Sequence, residues 1–169
     1  MSLLQNRLED LNQTNNTIPS SLTALLGSPV AHSISPLMHN ESFRLLGLDY
    51  VYLCFDVNEE TLPAAVAGLK TCGIRGFNLT MPNKNKIVEL LDELSPEAQL
   101  IGAVNTVLND NGKLIGYNTD GYGFMQSVRD AGHDITGKNI TVMGVGGASM
   151  AICAQSALDG AASVHIFAR

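Results

Sequence analysis

Residues 78–84 read Asn-Leu-Thr-Met-Pro-Asn-Lys and place a lysine just after a turn that leads into an apolar run of helical spacing. An ammonium at the N-terminal end of a helix faces the partial positive charge of the helix dipole. There, or partly desolvated in a cleft, it loses some preference for its charged form and becomes a better proton acceptor near neutral pH. Lys84 is therefore a candidate acid-base group, and the plainer reading is a solvated lysine on a surface helix. Asp120, in Gly-Tyr-Asn-Thr-Asp-Gly (116–121), falls in the first turn of another expected helix, where the dipole favours a carboxylate. A carboxylate beside an ammonium orients it and favours its charge, opposing the helix-end effect, so the sequence leaves the direction of the net shift open. Asp120 also reads as a helix cap.

A second pattern points to an anion. Residues 144–149, Gly-Val-Gly-Gly-Ala-Ser, follow a β-branched strand (140–143) and precede a small-residue helix (148–158), with a further strand at 163–167. In such a unit the first glycine permits a tight turn. The next lets backbone amides approach a pyrophosphate resting on the helix N-terminus. Gly144, Val145, Gly146, Gly147, Ala148 and Ser149 are the candidate cofactor contacts, although Ser149 stands where a third glycine or alanine is usual. Arg169 lies where the second strand ends and could meet a 2′-phosphate, stack on adenine or simply be solvated.

Alternating elements must position these groups. Residues 22–27 form a short apolar strand; 36–46 carry a helical apolar pattern with Ser35 as cap and Pro36 at the first helical position; 50–57, 59–70 and 73–79 add strand, helix and strand. That order predicts a parallel sheet with crossovers. A helix is expected from Ile87 to about Asp92 and a shorter one at 96–100. Asn111-Gly112 between extended runs at 103–108 and 113–117 predicts a hairpin. Thr119 should start a helix that ends at Gly132 and leads out of the first domain. The domain reading is a flexible tail (1–20), an α/β substrate and catalytic domain (21–134), and a dinucleotide-binding βαβ unit (135–169).

Composition narrows the function classes. The 169 residues are 45 % hydrophobic and carry ten Lys+Arg against sixteen Asp+Glu, without a basic run that would suit a phosphate backbone, so no nucleic acid is expected. Cys54, Cys72 and Cys153 are too few and too widely spaced for a disulfide framework or a zinc site, and read as reduced, buried thiols. No run of 18 apolar residues and no signal-like leader is seen, so neither membrane nor export is expected and the cytoplasm follows by default.

Taken together, Ser33-Ile-Ser35-Pro36, Asn78-x-Thr80-x-Pro82-x-Lys84, Gly102-Ala-Val-Asn105-Thr106, the Asp120 segment and the glycine loop resemble, in order and spacing, the shikimate dehydrogenase and quinate/shikimate dehydrogenase family. The resemblance covers nearly all the chain from Ser28 onward. It implies a mostly parallel three-layer α/β/α substrate domain followed by the first βαβ unit of a Rossmann-type domain. It implies NADP or NAD as cofactor, a shikimate, 3-dehydroshikimate or quinate substrate, a place in aromatic amino acid biosynthesis, and allows a homodimer. Lys84 and Asp120 match the family's proton-transfer pair; Ser33 and Ser35 match its substrate-carboxylate serines; Thr80, Asn105 and Asp120 match positions that read ring hydroxyls. Asn78 either ties the turn together or reaches the substrate, and His32 and His39 read as scaffold. The family's remaining cofactor strands and returning C-terminal helix are not matched, so the expectation is an incomplete enzyme without hydride transfer of its own; a substrate-binding module is the alternative. A lysine-bearing dehydrogenase of the methylenetetrahydrofolate class fits the serine pair and the Asn-Thr-Asp-Gly segment less well.

Overall fold

The computed structural model describes residues 21–168, so the expectations for residues 1–20 and for Arg169 lie outside the described residues. The first strand, β1 (Ser21–Gly27), is followed by helix α1 (Ser35–Leu46), strand β2 (Tyr50–Asp56), helix α2 (Leu62–Thr71) and strand β3 (Gly76–Leu79). A five-residue 3₁₀ turn (Lys86–Leu90), strand β4 (Glu93–Leu94), helix α3 (Pro96–Ile101), strands β5 (Thr106–Asp110) and β6 (Lys113–Tyr117) and helix α4 (Asp120–Asp130) complete the first region. Strand β7 (Asn139–Met143), helix α5 (Gly147–Leu158) and strand β8 (Ser163–Phe167) form the second.

The first sheet has the order β2-β1-β3-β5-β6-β4. The pairs β1/β2, β1/β3 and β4/β6 are parallel, and β3/β5 and β5/β6 antiparallel, so a mostly parallel α/β sheet carries the predicted hairpin within it. Asn111 and Gly112 both have positive φ (52° and 92°), as a two-residue type I′ turn demands. Alternation along the strands divides the side chains between two faces. Ala24, Leu26, Phe77, Leu79 and Val107 point to the face covered by α2, the 3₁₀ turn and α3, where Leu62, Val66, Ile87 and Ala98 complete the main core. Leu25 and Tyr52 point to the other face, beneath α1 and its Phe43. A separate two-stranded parallel sheet, β7-β8, carries α5 as its crossover.

Three expectations need correction. The helix predicted after Lys84 is only the 3₁₀ turn, because the chain then lends β4 to the edge of β6: Asp92 donates its N–H to the Leu114 carbonyl and accepts the Leu114 N–H on its carboxylate. Strand β3 starts at Gly76 rather than at residue 73. Gly73, at φ 71°, instead closes α2 in the left-handed conformation, with its N–H on the Lys70 carbonyl and that of Ile74 on Leu69. Of the three thiols, Cys153 is buried and Cys54 half-buried, but Cys72 is exposed at the end of α2. Among the described residues no helix is long and apolar enough to cross a membrane, and no cluster of His, Cys, Asp and Glu could hold a metal ion.

Candidate active site

Lys84 sits in the turn between β3 and the 3₁₀ segment. Its backbone is held from two sides: the Lys84 carbonyl accepts the Val104 N–H at 2.8 Å, and the preceding Asn83, wholly buried, donates its side-chain amide to the Val57 carbonyl at 2.7 Å. A lysine stem fixed in this way presents its ammonium in one direction. That direction is Asp120, the first residue of α4, whose Oδ2 lies 2.7 Å from Lys84 Nζ. The two side chains are about one-third exposed (31 % and 33 %), so the pair is open to a bound molecule while partly sheltered from water. Asp120 gains twice from its position, as a first-turn acid on the helix dipole and through its own N–H, which donates to Asn118 Oδ1 at 3.2 Å. The dipole at Lys84 itself is weak, since a 3₁₀ turn of five residues aligns few peptide units.

Asn105 braces the acid. Its Nδ2 donates to Asp120 Oδ1 at 2.7 Å and to Thr119 Oγ1 at 3.0 Å, while its Oδ1 accepts the Thr119 N–H and the Thr106 hydroxyl, both at 3.0 Å. The Asn105 side chain thus holds the start of α4 against the start of β5. Asn78, one strand away on β3, turns its Nδ2 to the Asn105 carbonyl (3.2 Å) and to Thr106 Oγ1 (3.0 Å), and its Oδ1 accepts the Tyr52 hydroxyl at 2.8 Å. All the polar atoms of its side chain are engaged internally, which favours the structural alternative for Asn78. Burial pushes the Tyr52 phenol well above its usual value, with the Cys54 charge adding to the effect, so Tyr52 remains a neutral donor.

Ser33, Ser35 and Thr80 line a separate open cleft of about 530 Å³, together with residues of the 28–34 loop. Ser35 is the first residue of α1 and does not cap it as expected; Ser33 Oγ accepts the Ser35 N–H at 3.2 Å and takes that role. Thr80 joins the cleft to the lysine turn, because its carbonyl accepts the Asn83 N–H at 2.9 Å. His39 stacks on the Tyr52 ring (4.3 Å, 18°) and burial lowers its pKa, which fits the scaffold reading; His32 is exposed on the cleft rim.

At the glycine loop, Gly144 has φ 117°, a conformation that only glycine adopts readily. A Cβ at Gly146 or Gly147 would meet nothing within 4 Å, so a ligand can come directly against this backbone at the N-terminus of the twelve-residue α5. Ser149 turns its hydroxyl back to the Gly146 carbonyl at 2.6 Å, and Val145 is exposed. The loop therefore fits a pyrophosphate through backbone N–H groups and open space rather than through side chains. Gly121, next to Asp120, brings the two regions together: a Cβ there would lie 2.4 Å from the Ala151 carbonyl of α5. Sequence reasoning missed Tyr52, and gave Thr106 and Thr119, which stand in its motifs, no role in the site. A tyrosine alternating into a buried strand must find a partner for its hydroxyl, and that was the available signal for Tyr52.

Residues 25–107 match the family described as shikimate dehydrogenase substrate binding domain. The shikimate dehydrogenase (NADP(+)) of Listeria monocytogenes serotype 4b (strain F2365) is 53 % identical over 150 residues, covering 89 % of this chain and 52 % of the relative. Among solved structures, shikimate 5-dehydrogenase from Listeria monocytogenes in complex with shikimate and NAD superposes with a TM-score of 0.87 at 53 % identity, over 88 % of this chain and 52 % of that one. The ligand-free 5-ketofructose reductase of Gluconobacter sp. strain CHM43 gives a TM-score of 0.85 at 39 % identity, over 88 % and 53 %. The chain spans about half the length of the curated relatives it matches.

Proposed function

This chain belongs to the shikimate dehydrogenase family, and from that premise we propose that it provides the substrate-binding and proton-transfer half of an NAD(P)-dependent shikimate dehydrogenase. The reading rests above all on the 2.7 Å contact between Lys84 and Asp120, braced by Asn105 at the mouth of the first region.

In the oxidation direction a ring carbon bearing a hydroxyl loses a hydride and the hydroxyl loses a proton, leaving a ketone. Bound at the 144–149 loop, a nicotinamide dinucleotide would supply the hydride acceptor. Lys84 Nζ, as the free amine, takes the hydroxyl proton; in the reverse direction its ammonium returns a proton to the carbonyl oxygen. Asp120 orients that nitrogen and stabilises its charge, and Asn105 keeps one carboxylate oxygen occupied so that the other faces Lys84. Ser33 and Ser35 donate to the substrate carboxylate from the start of α1, and Thr80 bridges that anchor to the lysine turn. Gly144, Gly146 and Gly147, with Val145, Ala148 and Ser149 around them, would hold the dinucleotide's pyrophosphate. The boundary between the two functional units falls near residues 134–135, where α4 has ended and β7 has not begun.

Relatives of this chain carry names with NADP(+), NAD and a keto-sugar reductase activity, so substrate and cofactor choice are matters for assay. The direct test joins the 169-residue chain to the portion of the Listeria monocytogenes relative that it does not match. Lys84→Ala in that protein is expected to lower turnover of shikimate about 10²- to 10⁴-fold while changing shikimate binding, followed by calorimetry, only modestly. Near-normal turnover would remove Lys84 from the mechanism. The second reading is a substrate-binding module; shikimate binding by the chain without any NAD(P)H formation supports it.

A further inference from the structure

The amide of Asn105 can brace Asp120 only in one of its two orientations, with Nδ2 toward the carboxylate, and something must hold it there. Its immediate partners are Thr106 and Thr119. The Thr119 N–H can only donate and meets Asn105 Oδ1 at 3.0 Å, which is one constraint on the amide, whereas Thr119 Oγ1 lies 3.0 Å from Nδ2 and 3.2 Å from Oδ1, so its hydroxyl does not choose between them. Thr106 can choose, because its hydroxyl carries one proton, and where that proton goes depends on what the oxygen already accepts. Thr106 Oγ1 accepts from Asn78 Nδ2 at 3.0 Å and is left to donate to Asn105 Oδ1, also at 3.0 Å. Asn78 is in turn held from two sides, its Nδ2 on the Asn105 carbonyl at 3.2 Å, which can only accept, and its Oδ1 taking the Tyr52 hydroxyl at 2.8 Å.

Register explains how these residues meet. Tyr52 pairs with Thr23, Leu25 with Asn78, and Asn78 with Thr106, so the Tyr52, Asn78 and Thr106 side chains lie on one face of β2, β3 and β5, and the Tyr52 ring spans the intervening β1. Tyr52 is itself fixed by α1: Asn40 takes the Tyr52 N–H on Oδ1 (2.8 Å) and gives its amide to the Tyr52 carbonyl (3.0 Å), while His39 stacks on the ring. The tyrosine is 3 % exposed, so water does not compete for its hydroxyl.

We propose that the Tyr52 hydroxyl is a positioning group for the acid-base pair, acting through Asn78, Thr106 and Asn105 to fix the Asp120 carboxylate against Lys84. The relay rests on the Lys84 reading above. It has one polarity, which the backbone groups at Asn78 and Asn105 share, and the Tyr52 phenol supplies the first proton of the series.

The test is steady-state kinetics of the joined protein, with Tyr52→Phe and Thr106→Val alone and together, and Lys84→Ala beside them. Tyr52→Phe leaves the ring and its stack on His39 and removes one hydrogen-bond donor, the hydroxyl. It should lower kcat roughly tenfold, as expected from losing one buried hydrogen bond, with KM changed less than about twofold and the pH profile of kcat displaced. Thr106→Val should act alike, and the double variant should cost no more than the more damaging single one, because one relay is broken in both. Should Tyr52→Phe not fold, Thr106→Val with Thr106→Ser as rescue carries the same test: Thr106→Ser restores kcat if the hydroxyl is what matters. The relay is overturned if both variants keep the kcat and pH profile of the unsubstituted protein while Lys84→Ala has lost turnover, or if their effects simply multiply. If Lys84→Ala keeps its turnover, the underlying reading has failed instead.

Discussion

In the six-stranded region Ala24, Leu26 and Leu62 are wholly enclosed between sheet and helices, whereas in the β7–α5–β8 unit Met143 is 88 % exposed and Phe167 63 %. Both regions use strand, helix and strand, yet they prepare their sites differently. The first can hold side chains in place, because a closed core and a continuous hydrogen-bond series fix Asn78, Asn105, Asp120 and Lys84 against one another. Among its described residues the second encloses only Ala151, Cys153 and Ser156 of α5, and leaves its strands open. Its candidate ligand contacts are backbone amides at a helix N-terminus, which need only a glycine loop and the local helix to point correctly. On the proposed function, proton transfer falls to the region able to fix side chains, and anion binding to the region that can do it with backbone alone.

That contrast can be broken by experiment. Leu26→Ala should destabilise the chain by about 2–5 kcal/mol in denaturant unfolding, and Met143→Ala by less than about 0.5 kcal/mol. Comparable losses would mean that the two regions are packed alike in solution. Gly121→Ala sharpens the comparison at the seam: its Cβ would press on the Ala151 carbonyl and the Gln155 side chain of α5. We expect about 1–3 kcal/mol of destabilisation and a lower melting temperature, and a fully tolerated alanine would show that α4 and α5 do not make this close approach.

The smallest expected effect is a pH dependence confined to the first region. Asp92 is held below the ordinary aspartate value of 3.8, first by the Leu114 N–H and then by Lys70 and Lys113. A carboxyl whose folded pKa is depressed contributes stability above its unfolded value and loses it as pH falls through the folded one. Asp92→Asn should therefore lower the melting temperature slightly at pH 6–7, by an amount that shrinks as pH falls below about 4. A difference that persists unchanged at pH 3 would count against an ionised Asp92 as the cause. The carboxylate is exposed, so salt should also diminish the effect.

Local signals were read where local physics decides. The Asn111-Gly112 turn, the left-handed close of α1 at Gly47 and the glycine loop before α5 each follow from backbone preferences within a few residues. The helix expected after Lys84 failed because the unpaired edge of β6 outcompeted a weak helical pattern, and a strand partner more than twenty residues away leaves no mark at Ile87 or Asp92. Ser35 seemed the natural cap of α1, but the turn at 33–35 let the neighbouring hydroxyl of Ser33 accept the exposed N–H first. At the site, Lys84, Asp120 and Asn105 were visible as residue types within motifs. Thr106 stood beside Asn105 in its motif without a role, and Tyr52 in none, because a threonine and a tyrosine in strands are ordinary until pairing aligns them.

The sequence by itself determined the alternation of elements, the glycine conformations and the stock of groups able to move a proton or hold an anion, since these depend on single residues and their near neighbours. Only the tertiary structure decided that Lys84 and Asp120, 36 residues apart, lie at 2.7 Å, and that the Tyr52 hydroxyl of β2 reaches Asn78 of β3 at 2.8 Å. Strand order and register set those distances. They emerge from how two sheet faces are buried at once, which no local stretch of residues specifies.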